Sequence, residues 1–200
     1  MKTLFAAMAI TLTTVTAALA FDADTQAIID RQKAGKLMSM SNVEVLMRTS
    51  EKWCYDNQDY SCAWTDIYLD VTDIGATFEI GNAWDAETDI AFTDEGVFKD
   101  DRYICESGKD WVPTVRATRR SDGSSLDGRL LWEVKMAVQA NREGDTMDCF
   151  DYVFLRSDTD YQTITLLQRA YTDDAHIEGG DAEVSLHFNA EDAAGLTLRW

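Results

Sequence analysis

Four cysteines, two histidines and an excess of carboxylates are the groups in this 200-residue chain that could do chemistry. Two of the cysteines, Cys54 and Cys62, lie in EKWCYDNQDYSCAW, residues 51–64, bracketed by Trp53 and Trp64 with a polar loop between them. Thiols at this spacing could hold a metal, exchange disulfides or pair with one another. No Cys-x-x-Cys occurs, and His176 and His187 are far away in sequence, which argues against zinc and against a thiol oxidoreductase. Asp56, Asn57 and Asp59 supply oxygens of the kind calcium prefers, but the acidic ladder with a central Gly and a closing Glu is missing. The expectation is no metal and no cofactor, and a staple at this stretch in preference to a site.

The acid–base inventory is thin. No Gly-x-Ser-x-Gly marks a hydrolase nucleophile. His176, in DDAHIEGGD, reads as a solvated residue, and His187 alternates with Val184, Leu186 and Phe188, so it should point away from the core. Asp151 is the one weak catalytic candidate: strand parity groups it with Cys149 and Val153 on an apolar face, where an acid must find a partner or lose its charge. A pairing arginine or a bulge that lifts it into water is the plainer account. Arg116, Arg119, Arg120 and Arg129 flank the turn SDGSSLDG and could grip an acidic partner or simply pair with nearby carboxylates. Trp53, Trp64, Phe150, Tyr152 and Phe154, with Trp84, form an aromatic set able to line a pocket for an apolar or glycan ligand, or to fill a core.

The elements that must position these residues begin with a leader. MKTLFAAMAITLTTVTAALA has one Lys ahead of an apolar, Thr-rich run that ends in Ala-Leu-Ala, which reads as a secretory signal peptide cleaved after Ala20. The apolar run is short for a membrane span and acidic residues follow it at once. Residues 21–200 then form one β-rich domain, periplasmic or secreted. With 36 acidic against 18 basic residues the formal charge is −18, which repels phosphate backbones and anionic lipid, so nucleic acid is not an expected partner.

Two helices are expected first, over about 24–34 and from a capping box at Ser41-Asn42-Val43-Glu44, the second carrying the stripe Val43, Leu46, Met47, Ser50 and Trp53/Cys54. From Ala63 the period becomes two. Candidate strands are 63–72, 76–82, 88–93, 97–106, 111–120, 129–141, 146–156, 161–172, 183–188 and 196–200, joined by Gly, Asp and Asn turns such as Asp94-Glu95-Gly96. Ile67, Leu69 and Val71 oppose Asp66, Tyr68 and Asp70, and Trp132, Val134, Met136 and Val138 oppose Glu133, Lys135 and Gln139; in each case the aliphatic face is taken as the dry one.

Export into an oxidising compartment makes two disulfides the default. The favoured pairing is Cys54 with Cys62, tying the helix end to the first strand, worth about 2.6 kcal/mol on the loop-entropy model, and Cys105 with Cys149, worth about 4 kcal/mol. The pairing Cys62–Cys105 with Cys54–Cys149 stays open. A Cys105–Cys149 bridge has a topological consequence. In a plain meander those strands stand about 14 Å apart, too far for a disulfide, so either residues 111–141 leave the sheet or the sheet curls onto itself. The final GLTLRW alternates Leu196, Leu198 and Trp200. This resembles the last strand of outer-membrane β-barrels, and the resemblance implies a small membrane barrel; the alternative places Trp200 in the core at the sheet edge.

The sequence thus describes an α+β protein: a strongly bent, mostly antiparallel sheet, barrel-like or folded over, with one or two amino-terminal helices packed on it. The leading role is a non-enzymatic binding module for an apolar small molecule or an envelope protein, the alternatives being a carboxylate-based enzyme and the outer-membrane barrel.

Overall fold

The computed structural model describes residues 21–141 and 147–200; the leader reading falls on residues 1–20, outside the described residues. Helix α1 (Ala23–Ile29) is capped by Asp22, whose carboxylate accepts from the Asp24 and Thr25 amides. It ends five residues earlier than its polar context suggested, and Gly35, in the left-handed region, turns the chain into strand β1 (Lys36–Leu37). Helix α2 (Met40–Thr49) starts two residues earlier than the capping-box reading: Ser39, not Ser41, is the cap, its hydroxyl accepting from the Asn42 amide, while Glu44 is held by Arg48. The helix stops at Thr49 because Ser50 is extended. Trp53 and Cys54 therefore belong to strand β2 (Lys52–Tyr55), not to the helix stripe, and the Trp53 indole donates back to the Ser50 hydroxyl at 2.7 Å.

Strands β3 (Ser61–Cys62), β4 (Trp64–Val71), β5 (Gly75–Ala83), β6 (Thr88–Lys99) and β7 (Tyr103–Glu106) follow. The expected turn at Asp94-Glu95-Gly96 is instead the middle of β6, a single 12-residue strand paired with β5 from Thr88's neighbour Asp89 to Val97. The polar triplet reads as a turn only because its Asp94 and Gly96 face inward, where a barrel needs a small residue. A single 3₁₀ turn (Val112–Thr114) and strand β8 (Arg116–Arg119) lead to helix α3 (Gly128–Asn141). That segment, expected as strand 129–141, corrects the period-two reading. Leu131, Val134 and Val138 recur at three and four, and Leu, Glu, Lys, Met, Ala and Gln are strong helix formers. Trp132 and Met136, the supposed dry face, are exposed. Strands β9 (Asp148–Asp158), β10 (Thr163–Thr172), β11 (Ala175–His176) and β12 (Ala182–His187), helix α4 (Ala190–Gly195) and strand β13 (Thr197–Leu198) complete the order.

Eight strands close into a barrel in the order β9-β7-β6-β5-β4-β2-β12-β10, and β10 pairs β9 to finish the ring. All of these pairings are antiparallel. Strands β1, β8 and β11 add to β9, β6 and β10 outside the ring. Closure removes the exposed edges that an open sheet would carry. The main core lies inside it, where Trp53, Tyr55, Tyr152, Phe154, Ile164, Leu166, Val184 and Leu186 meet Val43, Leu46 and Met47 of α2 and Ile28 of α1. A second cluster, Ile90, Val112, Val115, Ala117 and Val138, seats α3 against β6 and β8.

Both favoured disulfides are present, Cys54–Cys62 and Cys105–Cys149. Both ways of reconciling the second with strand spacing occur together. Residues 107–141 leave the ring, and the sheet closes, so that Cys105 of β7 and Cys149 of β9 become direct cross-strand partners. The carboxyl-terminal residues differ from expectation. Only Thr197–Leu198 is strand, it runs parallel to β3 in a separate two-stranded sheet, and Trp200 is exposed, not tucked into the core. The terminal segment on which the outer-membrane resemblance rests is thus not a strand of the barrel. Among the described residues no helix is long and apolar enough to cross a membrane.

Candidate functional site

Strand β4 carries the sequence Trp64-Thr65-Asp66-Ile67-Tyr68-Leu69, and its parity is the reverse of the one expected. Trp64, Asp66 and Tyr68 point into the barrel, whereas Leu69 is 55% exposed; a bulge between Tyr68 and Asp70 then returns Val71 to the core. The aliphatic face was taken as dry because Ile and Leu are more apolar than Asp. The aromatic pair two residues either side of Asp66 outweighs them, since Trp and Tyr bring more apolar area to the interior.

These side chains line a partly open cavity of about 270 Å³ inside the barrel. Its walls are Trp64 and Tyr68 of β4, Tyr55 of β2, Phe78 and Ile80 of β5, and Phe150 and Tyr152 of β9. Asp94 and Gly96 of β6, Glu106 of β7, Gln168 of β10 and Gly180 complete the lining. Gly96 is required where it stands: a Cβ there would lie 2.5 Å from the Ile104 side chain. Roughly 150 Å³ of apolar space is enough for a benzene ring, so this cavity has room for one ring with a substituent.

A chain of hydroxyls crosses the cavity floor. The Tyr55 hydroxyl donates to Asp66 Oδ2 at 2.8 Å, and the Gln168 amide donates to Tyr55 Oη at 3.2 Å and to Tyr152 Oη at 3.1 Å. The Tyr68 and Tyr152 hydroxyls are hydrogen-bonded to each other. Trp64 stacks on Tyr55, and Trp53 packs edge-on against both Tyr68 and Tyr152. Asp66 Oδ1 is buried and has no hydrogen-bond partner among the described residues. Burial pushes the Asp66 carboxyl up to about 7, the Tyr55 hydroxyl opposes that shift, and Asp94 adds to it. Burial likewise raises Tyr55, Tyr68 and Tyr152 above the usual phenol range. No Lys, Arg or His lines the cavity among the described residues.

Of the aromatic residues singled out from the sequence, Trp64, Phe150 and Tyr152 line this cavity. Trp53 and Phe154 stand in the core, Trp53 behind the Tyr68 and Tyr152 rings, and Trp84 joins the second cluster under α3. Asp151 sits on the outer face of β9, fully buried, its carboxylate taking four hydrogen bonds of 2.7–2.9 Å from Arg102 and Arg169. Arg116 and Arg120 pair with Glu79 and Asp89, and Arg129 pairs with Glu133. Asn57 of the inter-cysteine loop donates to the Ser185 hydroxyl, and among the described residues no group of His, Cys, Asp and Glu is placed to hold a metal ion.

The histidines part company. His176 pairs with Asp181 at the surface, as a solvated residue would. His187 leaves the barrel core as expected but is buried, its pKa held below the usual value by burial against the opposing pull of Asp192. Its Nε2 lies 3.2 Å from the Ser185 hydroxyl in an outer groove. A nucleophile–base pair needs a third group to orient the base, and His187 Nδ1 has no partner among the described residues. The arrangement therefore lacks the element that would make Ser185 a nucleophile. Asp66 was not singled out from the sequence; the available signal was the Trp-x-Asp-x-Tyr alternation. No family model, no curated protein and no solved structure matches the chain.

Proposed function

We propose that this protein is an exported, soluble binding module, acting in the periplasm or outside the cell, that holds a small ligand with an apolar, ring-like body inside its barrel. The observation that carries the reading is the barrel cavity with aromatic walls and a few convergent polar groups, the usual make-up of a small-ligand site. The leader-like amino terminus and two disulfides support export. Trp64, Phe150 and Tyr152 would contact the ligand, with Trp53 and Phe154 holding those rings in place. The interior cavity favours a small molecule over an envelope protein as the bound partner.

A second reading has one observation in its favour: a carboxyl poised near neutrality at Asp66 is suited to general acid–base work. It concerns a different acid from Asp151, whose oxygens are occupied by arginines.

The test is thermal denaturation and calorimetric titration of the mature protein with simple benzyl compounds, alongside Ile80→Trp, which fills the cavity. Binding by the wild type that disappears in Ile80→Trp is the expected result. Failure of every benzyl compound to bind, or equal binding by the filled variant, would remove the cavity as a ligand site.

A further inference from the structure

Resting on the cavity as a ligand site, we infer that the ligand is an organic cation, a primary or secondary amine on an aromatic or aliphatic ring, whose ammonium group is held by Asp66. Three features converge on this class. The first is charge. Asp66, Asp94 and Glu106 line the cavity, and no basic side chain does so among the described residues. The interior thus presents the Asp66 carboxyl to whatever enters.

The second is an open acceptor. Tyr55 takes Asp66 Oδ2, while Asp66 Oδ1 is buried without a partner among the described residues. A buried carboxylate oxygen in that state is costly unless a donor arrives with the ligand. An ammonium brings the donor and the opposite charge together. A metal ion would bring charge too, but the carboxylates are not grouped closely enough to coordinate one.

The third is the wall. Trp64, Tyr55, Tyr68, Phe78, Phe150 and Tyr152 surround the acid, and aromatic faces attract cations through their negative quadrupole. An anionic ligand would meet repulsion from Asp66, and a neutral ring would leave Oδ1 unpaired. The overall charge of −18 also steers cations towards the molecule at low salt.

Binding should follow the ionisation of Asp66. The groups that bear on it are Tyr55 from β2, Asp94 from β6, Tyr68 on its own strand, Tyr152 from β9 and Gln168 from β10, with Glu106 on the cavity wall. Of these groups it is Asp66 whose carboxyl, pushed up to about 7, changes charge between pH 5.5 and 8.5. Below neutrality Asp66 is protonated and can no longer attract the cation; above it the attraction is complete.

Isothermal titration of the mature protein with benzylammonium, benzyl alcohol and benzoate separates the possibilities, since the three share one ring and differ in charge. At pH 8.5 benzylammonium should bind tighter than benzyl alcohol by about tenfold or more, the worth of one hydrogen bond to a charged group. Benzoate should not bind. The preference should vanish at pH 5.5, and vanish at pH 8.5 in Asp66→Asn. The pH series on the unmutated protein needs no variant to fold. Benzyl alcohol equal to or better than the amine at pH 8.5 would overturn the cation assignment and leave the binding module standing. Cation preference that survives both low pH and Asp66→Asn would also overturn it. Failure of all three compounds would take down the binding module with it.

Discussion

Asp66 and Asp151 are both buried acids of the same barrel, one facing in and one facing out, and they are treated in opposite ways. Asp151 is fully covered, yet both oxygens are clamped by arginines that reach water at their far ends, Arg102 and Arg169 being 38% and 29% exposed. Asp66 has one phenol on one oxygen and, among the described residues, no partner on the other. Burial alone therefore does not identify a functional acid. The informative feature is whether the fold supplies the partner. Asp151 is satisfied internally and ties β9 to β10 and to the loop before β7. Asp66 is left for something that comes from outside.

Breaking the satisfied acid should have the largest effect. Asp151→Ala leaves two guanidinium groups facing each other over an apolar wall, and removal of one member of a buried pair costs about 3 kcal/mol or more. Urea denaturation at neutral pH should show that loss, with ligand binding in the remaining folded protein unchanged. Relieving the unsatisfied acid should act in the other direction. The unfolded chain gives up the Asp66 proton near 3.8 and the native protein near 7, so the native state binds the extra proton between those values. Stability is then lost as pH rises from about 4 to about 7. Asp66→Asn should flatten that decline and be more stable than the parent at pH 8.5 by about 2 kcal/mol, short of the full linkage value because the new amide brings donors without partners. Denaturation curves at pH 4.5 and 8.5 for both proteins measure it; a pH slope unchanged by the substitution would show that Asp66 is not the titrating group. Smallest should be Arg102→Ala and Arg169→Ala taken singly. Either leaves Asp151 one arginine, and each should cost about 1 kcal/mol in the same assay. A loss as large as that of Asp151→Ala would mean that the two arginines act only as a unit.

Much of this contrast was legible in the sequence for Asp151 and almost none for Asp66. Cys149, Asp151 and Val153 do share one face, and an arginine partner was the plain account of an acid there. The Cys105–Cys149 distance argument also offers, as alternatives, a curled sheet and the departure of residues 111–141 from it, and both occur, although that excursion carries a helix and not the expected hairpin. Leu131, Val134 and Val138 fit helical spacing, while Trp132, Val134, Met136 and Val138 fit a strand equally well, and period alone does not choose between them for so short a run. At β4 the difficulty was physical. Alternation separates two faces but does not say which is inside, and in a closed barrel the wider aromatic side chains, with their hydroxyls, take the interior even when an acid travels with them. Asp66 became visible only when the ring of strands brought Tyr55, Tyr152 and Gln168 to it from β2, β9 and β10.

The pairing of β7 with β9 rests on two residue pairs, Ile104 with Phe150 and Cys105 with Cys149, the shortest seam of the eight in the ring, and its second pair is the disulfide. Glu106 and Phe150, at that same join, are part of the cavity wall. A newly made chain, before oxidation, would be a cylinder held shut on that side by two residue pairs of backbone alone, so ring closure and thiol oxidation are steps that reinforce one another.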